Sequence, residues 1–220
     1  MDRQLYKEFH RHVNVSRETF NNLVVYYNLL CEWQTKMNLV SNQSLSHAFE
    51  RHFLDSAQIF ECCTKIEGNI LDFGTGAGFP GLVLAIMGIK NIHLVDSNKK
   101  KCNFLNEVLY KTRTNSTVHN CRIECLPYLK PSLIMARALA PTQKLLTLCM
   151  DYMIRGNSNY SKKDALDNMP NLLFLKGKSY VDELASIQFK SNIKFMVLNS
   201  ITNKEGKILF YKNKKNRNNV

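Results

Sequence analysis

The stretch "ILDFGTGAGFPG", residues 70–81, decides the fold because a glycine-rich turn here lies between two apolar runs. Glycine loses more conformational freedom on folding than any other residue, so this density is unfavourable unless the backbone must bend sharply or approach a ligand. Pro80 suits the first turn of a helix, where its missing N–H costs nothing. The stretch therefore predicts a strand, a ligand-binding turn and then a helix. The glycines expected at the ligand are Gly74, Gly76 and Gly78, and a purely structural tight turn is the alternative.

Outward from this turn, short apolar runs alternate with helical segments. The runs that predict strands are "NILDF", "NIHLVD", "STVHNCRI", "SLIMA", "NLLFL", "IKFMVLN" and "GKILFYK", and helices are expected at about residues 80–87, 98–110, 141–154 and 180–189. This alternation predicts an α/β fold with a mainly parallel sheet, and the last two runs predict an antiparallel hairpin at its edge. Seven strands with that ending are typical of the Rossmann-like class I S-adenosylmethionine-dependent methyltransferases rather than of dehydrogenases, although fold alone does not establish function.

Two helices are predicted before the sheet. Ser16 can cap the first, in which apolar residues recur at helical spacing. The second is expected over residues 44–60, where Arg51 and Asp55 are spaced to form an ion pair. We assign residues 1–66 to an N-terminal helical extension, 67–213 to a methyltransferase domain and 214–220 to a mobile basic tail. Residues 155–170 form a polar connection without an assigned structure.

Two carboxylates flank the glycine turn. Asp96 ends the second strand, about 20 residues after the turn, where a carboxylate accepts hydrogen bonds from the hydroxyls of an adenosine ribose. Asp72 directly precedes the glycines, and an anion there disfavours a pyrophosphate but suits an ammonium or sulfonium group. This pair favours S-adenosylmethionine over NAD as the cofactor. The alternative for Asp72 is a carboxylate that only accepts hydrogen bonds from the N–H groups of the turn.

Further candidates follow the third and fourth strands. Ile123 and Glu124 are expected at the end of the third strand, where an apolar side chain can cover an adenine and neighbouring polar groups can meet its edge. Arg137 ends the fourth strand, at the carboxyl edge that lines the crevice of open α/β sheets. Arg137 is therefore expected to contact cofactor or substrate, with a surface ion pair to Glu124 as the alternative.

Composition narrows the class of partner. The chain has 220 residues, a net charge of +12 and a sequence pI of about 9.4, which favours a polyanion such as nucleic acid. No apolar run approaches the roughly 20 residues of a membrane helix, so we expect a soluble, cytoplasmic protein without a membrane partner. Seven cysteines without a C-x-x-C pattern favour reduced thiols over a disulfide framework or a metal site.

Several segments together resemble the RsmG (GidB) family of bacterial 16S ribosomal RNA guanine-N7 methyltransferases. They occur in the family's order over about residues 20–178: "YYNLLCEWQTKMNLVS", "RHFLDS", "LDFGTGAGFPGLVLAI", "LVDSNKKKCNFL", "ARALA" and "FLKG". The resemblance implies methyl transfer from S-adenosylmethionine to N7 of guanine 527. It also implies that the family's cofactor contacts fall on Gly74, Phe79, Ile123, Glu124 and Arg137, with Asp96 as the acidic residue after the second strand. Two departures are Ser132, where the family has an aspartate, and a long connection between residues 148 and 172.

Guanine N7 carries a lone pair and no proton, so its attack on a sulfonium methyl requires no general base. We therefore expect positioning to supply the catalysis, without an acid–base residue and without a metal. Because N7 lies in the deep, narrow major groove of A-form RNA, the target base must be unpaired or splayed out.

Basic side chains are expected to hold the RNA phosphates. The candidates are Arg51, His52, Arg137 and Lys176, with Lys99, Lys100 and Lys101 at the start of a helix. His52 as a hydrogen-bonded core residue and the three lysines as a solvated helix start are the alternatives. The expected partner is 16S rRNA or the assembling small subunit, and we expect a monomer. An NAD(P)-dependent oxidoreductase and a non-catalytic RNA-binding assembly factor remain alternative functions.

Overall fold

The structure, a computed structural model, describes residues 3–188 and 192–213. Seven strands of this part of the chain form one sheet in the order β3-β2-β1-β4-β5-β7-β6. The first five are parallel, and β7 runs antiparallel to both β5 and β6. The strands are β1 (Asn69–Phe73), β2 (Ile92–Asp96), β3 (Thr117–Asn120), β4 (Pro131–Arg137), β5 (Asn171–Lys176), β6 (Met196–Asn199) and β7 (Lys207–Tyr211). The predicted sheet and its terminal hairpin are confirmed.

The central strands are buried on both faces, and alternate residues divide between two cores. In β4, Leu133 and Met135 pack on one face, while Ile134 and Ala136 pack on the other. This period of two is the side-chain alternation of any extended strand. Five helices of the sheet domain cover these faces: α6 (Gly81–Ile86), α7 (Lys99–Thr112), α8 (Thr142–Gly156), α9 (Lys162–Asp167) and α10 (Tyr180–Ala185).

The third strand is shorter than predicted. It ends at Asn120, and Ile123 and Glu124 belong to a separate 3₁₀ turn (Ile123–Cys125). Arg155 of α8 holds this turn by donating a hydrogen bond of 2.8 Å to the Ile123 carbonyl and another to the Glu124 carbonyl. Because these carbonyls bond a side chain rather than a neighbouring strand, the ladder stops before them.

Residues 155–170 contain a helix that the sequence left unassigned. Ser161 caps α9 in a capping box, in which its hydroxyl accepts from the Asp164 N–H and the Asp164 carboxylate accepts from the Ser161 N–H. The expected helix at residues 180–189 ends at Ala185; residues 189–191 and the predicted mobile tail at 214–220 lie outside the described residues.

The N-terminal extension holds more elements than the two predicted helices. Ser16 caps the first predicted helix as expected, with its hydroxyl accepting from the Thr19 N–H at 3.0 Å; a further helix precedes it. The helices are α1 (Arg3–His12), α2 (Arg17–Gln34), α3 (Asn42–Leu45), α4 (Asp55–Ala57) and α5 (Phe60–Cys63), with a π-helix (Phe49–Leu54) between α3 and α4. The single helix predicted over 44–60 is therefore wrong.

Local polar groups and packing explain this break. The Ser44 hydroxyl donates to the Ser41 carbonyl at 2.9 Å, a local bond that competes with helix continuation. The wider π-helical turn then stacks Phe49 on Phe53, with ring centroids 4.9 Å apart, in the core. It also brings Arg51 and His52 to the opposite side, toward the sheet's carboxyl edge.

The extension shares one core with a face of the sheet. Tyr26 of α2 is fully buried, stacks on Phe79 with ring centroids 5.4 Å apart and donates a hydrogen bond to the Ala77 carbonyl in the glycine turn. The π-helix adds Phe53 to the same cluster. The extension therefore forms a wall over the turn. No helix among the described residues is both long enough and apolar enough to cross a membrane.

Candidate cofactor and RNA site

The glycine turn is shaped partly by packing and partly by the space in front of it. Gly74, Gly76 and Gly78 have positive φ angles of 65°, 60° and 100°. A Cβ on Gly78 would lie 2.5 Å from the Tyr26 hydroxyl, and one on Gly81 would lie 2.5 Å from Leu94. A Cβ on Gly76 would meet nothing closer than 3.9 Å. Neighbouring side chains thus leave no room for a Cβ at Gly78 or Gly81, whereas the backbone of Gly76 faces the open crevice.

Asp72 lies behind the turn and is fully buried. Its Oδ2 accepts hydrogen bonds from the Thr75 hydroxyl at 2.6 Å and the Gly81 N–H at 2.8 Å, while Oδ1 has no partner among the described residues. Burial raises the pKa of Asp72 to about 7, although these hydrogen bonds and the Arg137 charge oppose the shift. The contacts match the alternative in which the carboxylate organises the turn; direct contact with a cofactor stays a prediction.

Asp96 lies at the carboxyl end of β2 and joins the turn that follows β1 to the turn that follows β2. Its Oδ2 accepts from the Gly76 N–H at 3.0 Å, and its Oδ1 accepts from the Asn98 N–H at 2.7 Å. Each carboxylate oxygen has more than one lone pair, so both keep acceptor capacity for ligand hydroxyls. Asp96 is thus held rigidly beside the open Gly76 backbone, the arrangement that recognition of a ribose requires.

The segment after β3 forms the next part of this edge. Ile123 is half-buried and Glu124 is exposed in the 3₁₀ turn that Arg155 holds. Asn120, the last residue of β3, links this strand to the end of β2, since its side-chain amide donates to the Asp96 carbonyl at 3.2 Å. The arrangement places an apolar side chain and backbone groups one strand beyond Asp96, in the direction in which an adenine would extend from a ribose.

On the other side of the turn, Arg137 connects β4 to the N-terminal extension. Its Nη1 donates to Asp55 Oδ2 at 2.8 Å and to the Arg51 carbonyl at 3.1 Å. The guanidinium also lies over the Phe79 ring, 5.1 Å from its centroid. The sequence had allowed ion pairs of Arg137 with Glu124 and of Arg51 with Asp55. In the structure Arg137 and Asp55 pair with each other instead.

His52 completes this cluster as a neutral imidazole. Arg137 Nη2 lies 2.7 Å from His52 Nδ1, and because a guanidinium only donates, Nδ1 must accept. The Nε2 proton then points to the Ser44 hydroxyl at 2.9 Å. Burial, followed by the charges of Arg137 and Arg51, lowers the pKa of His52 to about 3. His52 is hydrogen-bonded as its alternative interpretation states, yet it also lines the crevice.

Lys176 at the end of β5 is less accessible than its position suggested, with a side chain 8% exposed. Its ammonium lies 2.6 Å from Glu183 Oε2 and donates to the Ala140 carbonyl at 2.8 Å. Burial raises the pKa of Glu183, but hydrogen bonds from Lys176, Thr142 and Ser179 outweigh it and lower that pKa to about 2. The charge of Lys176 is thus used within the protein, and contact with RNA stays a prediction.

These groups surround a cleft of about 1180 Å³ between the extension and the sheet's carboxyl edge. Arg51, His52 and Asp55 line one wall, and the turn beyond β6 adds Ser200 and Thr202. At the start of α7, Lys101 lines the cleft while Lys99 and Lys100 are exposed. The structure thus brings Gly74, Gly76, Phe79, Arg137, Arg51, His52 and Lys176 to one cleft, with Asp72 and Gly78 behind it. Asp96 adjoins the cleft through its hydrogen bond to Gly76, whereas Ile123 and Glu124 are not part of the lining.

Strand order, the terminal antiparallel hairpin and the glycine turn beside an acidic β2 terminus define a class I methyltransferase fold. Magnesium protoporphyrin IX methyltransferase from Synechocystis, solved with bound S-adenosylmethionine, superposes with a TM-score of 0.55 at 10% identity. The match covers 90% of this chain and 98% of that one.

The family follows from the sequence comparisons. Residues 19–208 match the model of the GidB family, described as rRNA small subunit methyltransferase G. Two relatives named ribosomal RNA small subunit methyltransferase G are 40% identical over 195 residues (Paramagnetospirillum magneticum; 89% of both chains) and 39% identical over 176 residues (Rhodospirillum rubrum; 80% of this chain and 81% of the relative). The chain therefore belongs to the rRNA small subunit methyltransferase G family, which confirms the resemblance seen in its motifs.

Sequence analysis missed the roles of three residues that organise the site. Asp55 holds Arg137, Arg155 holds the 3₁₀ turn, and Tyr26 holds the glycine turn from behind. Asp55 lies within the motif "RHFLDS", so the motif pointed to this residue. The motif did not show that Asp55 pairs with Arg137 rather than with Arg51. Arg155 lies in the polar connection that lacked an assignment, and no local pattern links it to residues 123–124.

Proposed function

We propose that this protein transfers a methyl group from S-adenosylmethionine to N7 of a guanine in small-subunit rRNA, at position 527 of the 16S molecule. The observation that carries the proposal is the open Gly76 backbone beside the fixed carboxylate of Asp96, at the mouth of a cleft walled by basic groups. Family membership supplies the class of reaction.

The residues present fit the cofactor. Gly76 leaves room for a ligand, and Asp96 keeps acceptor capacity for two ribose hydroxyls. Ile123 offers an apolar contact for an adenine, and the strand order places it beyond Asp96. Asp72, buried behind the turn with Oδ1 unpartnered among the described residues, gives the turn an acidic background that suits a cationic ligand better than a pyrophosphate.

Once bound, S-adenosylmethionine supplies an electrophilic methyl group on a sulfonium. The task of this chain is to orient the guanine so that its N7 lone pair points at that methyl, because N7 has no proton to lose. Orientation of this kind contributes roughly 7–11 kcal/mol in favourable cases. His52 accepts from Arg137 and is held neutral, so we assign it to holding the guanidinium and not to proton transfer.

The RNA is recognised as an unpaired or splayed-out strand. Arg51 is exposed at the cleft, and Lys101 lines the same opening, so both can meet phosphates. Arg137 meets the RNA or the cofactor from within its network, and direct contacts of Lys176 and His52 remain part of the proposal. The substrate implies a cytoplasmic protein that meets rRNA or the assembling small subunit, and we propose that it acts as a monomer.

The test is methyl transfer to small ribosomal subunits that lack the modification. The protein is incubated with S-adenosylmethionine labelled in its methyl group, and the modified base is mapped by mass spectrometry of nuclease fragments. We expect label at N7 of the single guanine, with fully modified subunits as the unlabelled control. RNA binding without label would favour an assembly factor. Saturable NADH binding without S-adenosylhomocysteine binding would favour an oxidoreductase.

A further inference from the structure

Leu139 is an exposed aliphatic side chain at the opening of a cleft that both polar and apolar residues line. It lies just beyond β4, is 37% exposed and lines the opening together with Arg137. Its side chain lies over the glycine turn, since a Cβ built on Gly74 would be 2.5 Å from Leu139 Cδ1. At this exposure nearly two thirds of the Leu139 surface is buried within the protein, and the remaining part faces the opening of the cleft, where a ligand can cover it.

The backbone that positions Leu139 is strained at the preceding residue. Ala138 has a φ of 52°, in the left-handed region that disfavours a residue with a Cβ by about 1–2 kcal/mol. Both ends of the segment are anchored: Arg137 bonds the extension, and the Ala140 carbonyl accepts from Lys176 at 2.8 Å. Strained backbone that persists between fixed ends is found most often at functional sites. We call residues 137–140 the strap.

The strand order gives the strap its position relative to the cofactor. Asp96 lies at the end of β2, and the 3₁₀ turn with Ile123 follows β3, on one side of the glycine turn. The strap follows β4, on the other side of β1. An adenosine that places its ribose at Asp96 and its adenine beyond β2 therefore directs its sulfonium end toward β4 and Leu139.

From this arrangement we propose that Leu139 contacts the face of the target guanine and positions N7 at the methyl group. This inference rests on the proposed function. The purine presents a flat apolar face, and Leu139 is the exposed aliphatic group beside the place where the methyl must lie. Burial of the partly exposed side chain against the base stabilises the aligned complex. Leu139 is thus a substrate-positioning residue, while Arg137 and Lys176 fix the strap that carries it.

The test compares Leu139→Ala with the volume-conserving control Leu139→Met and the polar Leu139→Gln. Methyl transfer is measured at saturating S-adenosylmethionine over a range of small-subunit concentrations, and the affinity for S-adenosylhomocysteine is measured by calorimetry. We expect Leu139→Ala and Leu139→Gln to lower kcat/KM by about 10- to 100-fold, as loss of a buried leucine contact predicts. Leu139→Met should stay within about threefold of the wild type.

The affinity for S-adenosylhomocysteine should stay close to the wild-type value in all three variants, and activity is measured well below the Tm of each, so that a modest loss of stability does not lower the amount of folded enzyme. Wild-type activity in Leu139→Ala would overturn the inference, and so would a fall in cofactor affinity that accounts for the whole loss, since Leu139 would then hold the cofactor. A fall in Tm that tracks the loss of activity would make Leu139 structural. An inactive wild type would instead overturn the proposed function itself, so the two failures are distinguishable.

Discussion

The two sides of the cleft are built from different kinds of contact. On the β2 side, Asp96 accepts from backbone N–H groups of two adjoining turns and is fixed by the strands themselves. On the β4 side, Arg137 is held by groups 82 to 86 residues earlier in the chain, in the extension. On the first side the hydrogen bonds are made within the sheet domain, with Tyr26 of the extension packed behind the glycine turn, whereas on the second side the extension itself supplies the hydrogen-bond partners.

This difference relates each side to its ligand. A small cofactor needs a fixed frame, and backbone groups supply one because they have few other conformations. A large RNA needs an extended charged surface, and the N-terminal extension packed against the sheet can supply one. We infer that changes on the β2 side act mainly on cofactor affinity, whereas changes on the β4 side also affect folding.

The glycine turn offers the largest test of the comparison. Gly78→Ala should lower the free energy of unfolding by about 3 kcal/mol, because the new Cβ would clash with the Tyr26 hydroxyl and sit at positive φ. Gly76→Ala is the control: its φ of 60° lies in the left-handed region and its Cβ meets no clash, so it should cost only about 1–2 kcal/mol. Urea unfolding followed by circular dichroism measures both.

The same pair separates packing from binding. Gly76→Ala should weaken S-adenosylhomocysteine binding in calorimetry, since its Cβ projects into the space for the ligand. Equal stabilities of the two variants would show that the Tyr26 contact does not require glycine at residue 78.

Arg137→Ala is the next largest test, on the β4 side. It should lower the free energy of unfolding by about 2 kcal/mol, because the Asp55 carboxylate, only 20% exposed, loses its charge partner and His52 loses its donor. Turnover should fall as well. Thermal unfolding and methyl transfer, measured on one preparation, check both effects.

Asp55→Asn is the matched control for this variant. It removes the charge of the partner but keeps an oxygen that accepts from Arg137, so its stability loss should be smaller. If Arg137→Ala left the Tm unchanged, the guanidinium would not fasten the extension, and the contrast between the two sides would be lost.

Most of the sheet could be predicted because its determinants are local. Apolar runs, the glycine turn and the Ser16 cap each depend on neighbouring residues, and the structure places strands at all seven predicted runs. The broken helix after Ser44 could not be predicted, since its π-helical turn depends on packing against the distant sheet. The strand before Ile123 was extended too far because its end is set by Arg155, a residue 32 positions away.

Prediction of the site likewise succeeded where the determinants are local and failed where they are distant in sequence. Gly76 and Asp96 were found from spacing within one β-α-β unit, and the structure joins them by a hydrogen bond. The family and the methyltransferase class predicted from the motifs are confirmed by family membership. The partners of Arg137 and Lys176 were missed because charge alone does not show which carboxylate a long side chain will meet. Sequence therefore predicted which residues line the cleft better than what each of them touches.

Asp96→Ala tests the β2 side directly. Loss of a carboxylate that accepts charge-assisted hydrogen bonds from ribose hydroxyls should weaken S-adenosylhomocysteine binding by about 1–3 kcal/mol in calorimetry. Asp96→Asn, which keeps one acceptor oxygen, should lie between the wild type and the alanine variant. Unchanged affinity in both variants would place the ribose elsewhere and remove the basis for assigning this side to the cofactor.

The smallest expected effect is the pH dependence that His52 gives to the β4 side. Burial and the charges of Arg137 and Arg51 lower its pKa from 6.5 to about 3, so between these values the unfolded chain binds a proton that the folded protein does not. The stability that His52 confers is complete above pH 6.5 and is lost as the pH falls toward 3. Between pH 7 and pH 5 we expect a loss of about 1 kcal/mol, discounted for its partial exposure.

Asp72 acts in the opposite direction, because its raised pKa of about 7 lets the folded state keep a proton as the pH falls from 7 toward 3.8. The measurement is therefore the difference between the wild type and His52→Gln, in which the Asp72 contribution cancels. Urea unfolding at pH 7, 6 and 5 should show the wild type losing more stability than His52→Gln. The exposed His47→Gln serves as the control and should follow the wild type. Parallel curves for all three proteins would mean that His52 does not need to stay neutral, and that Arg137 is held without it.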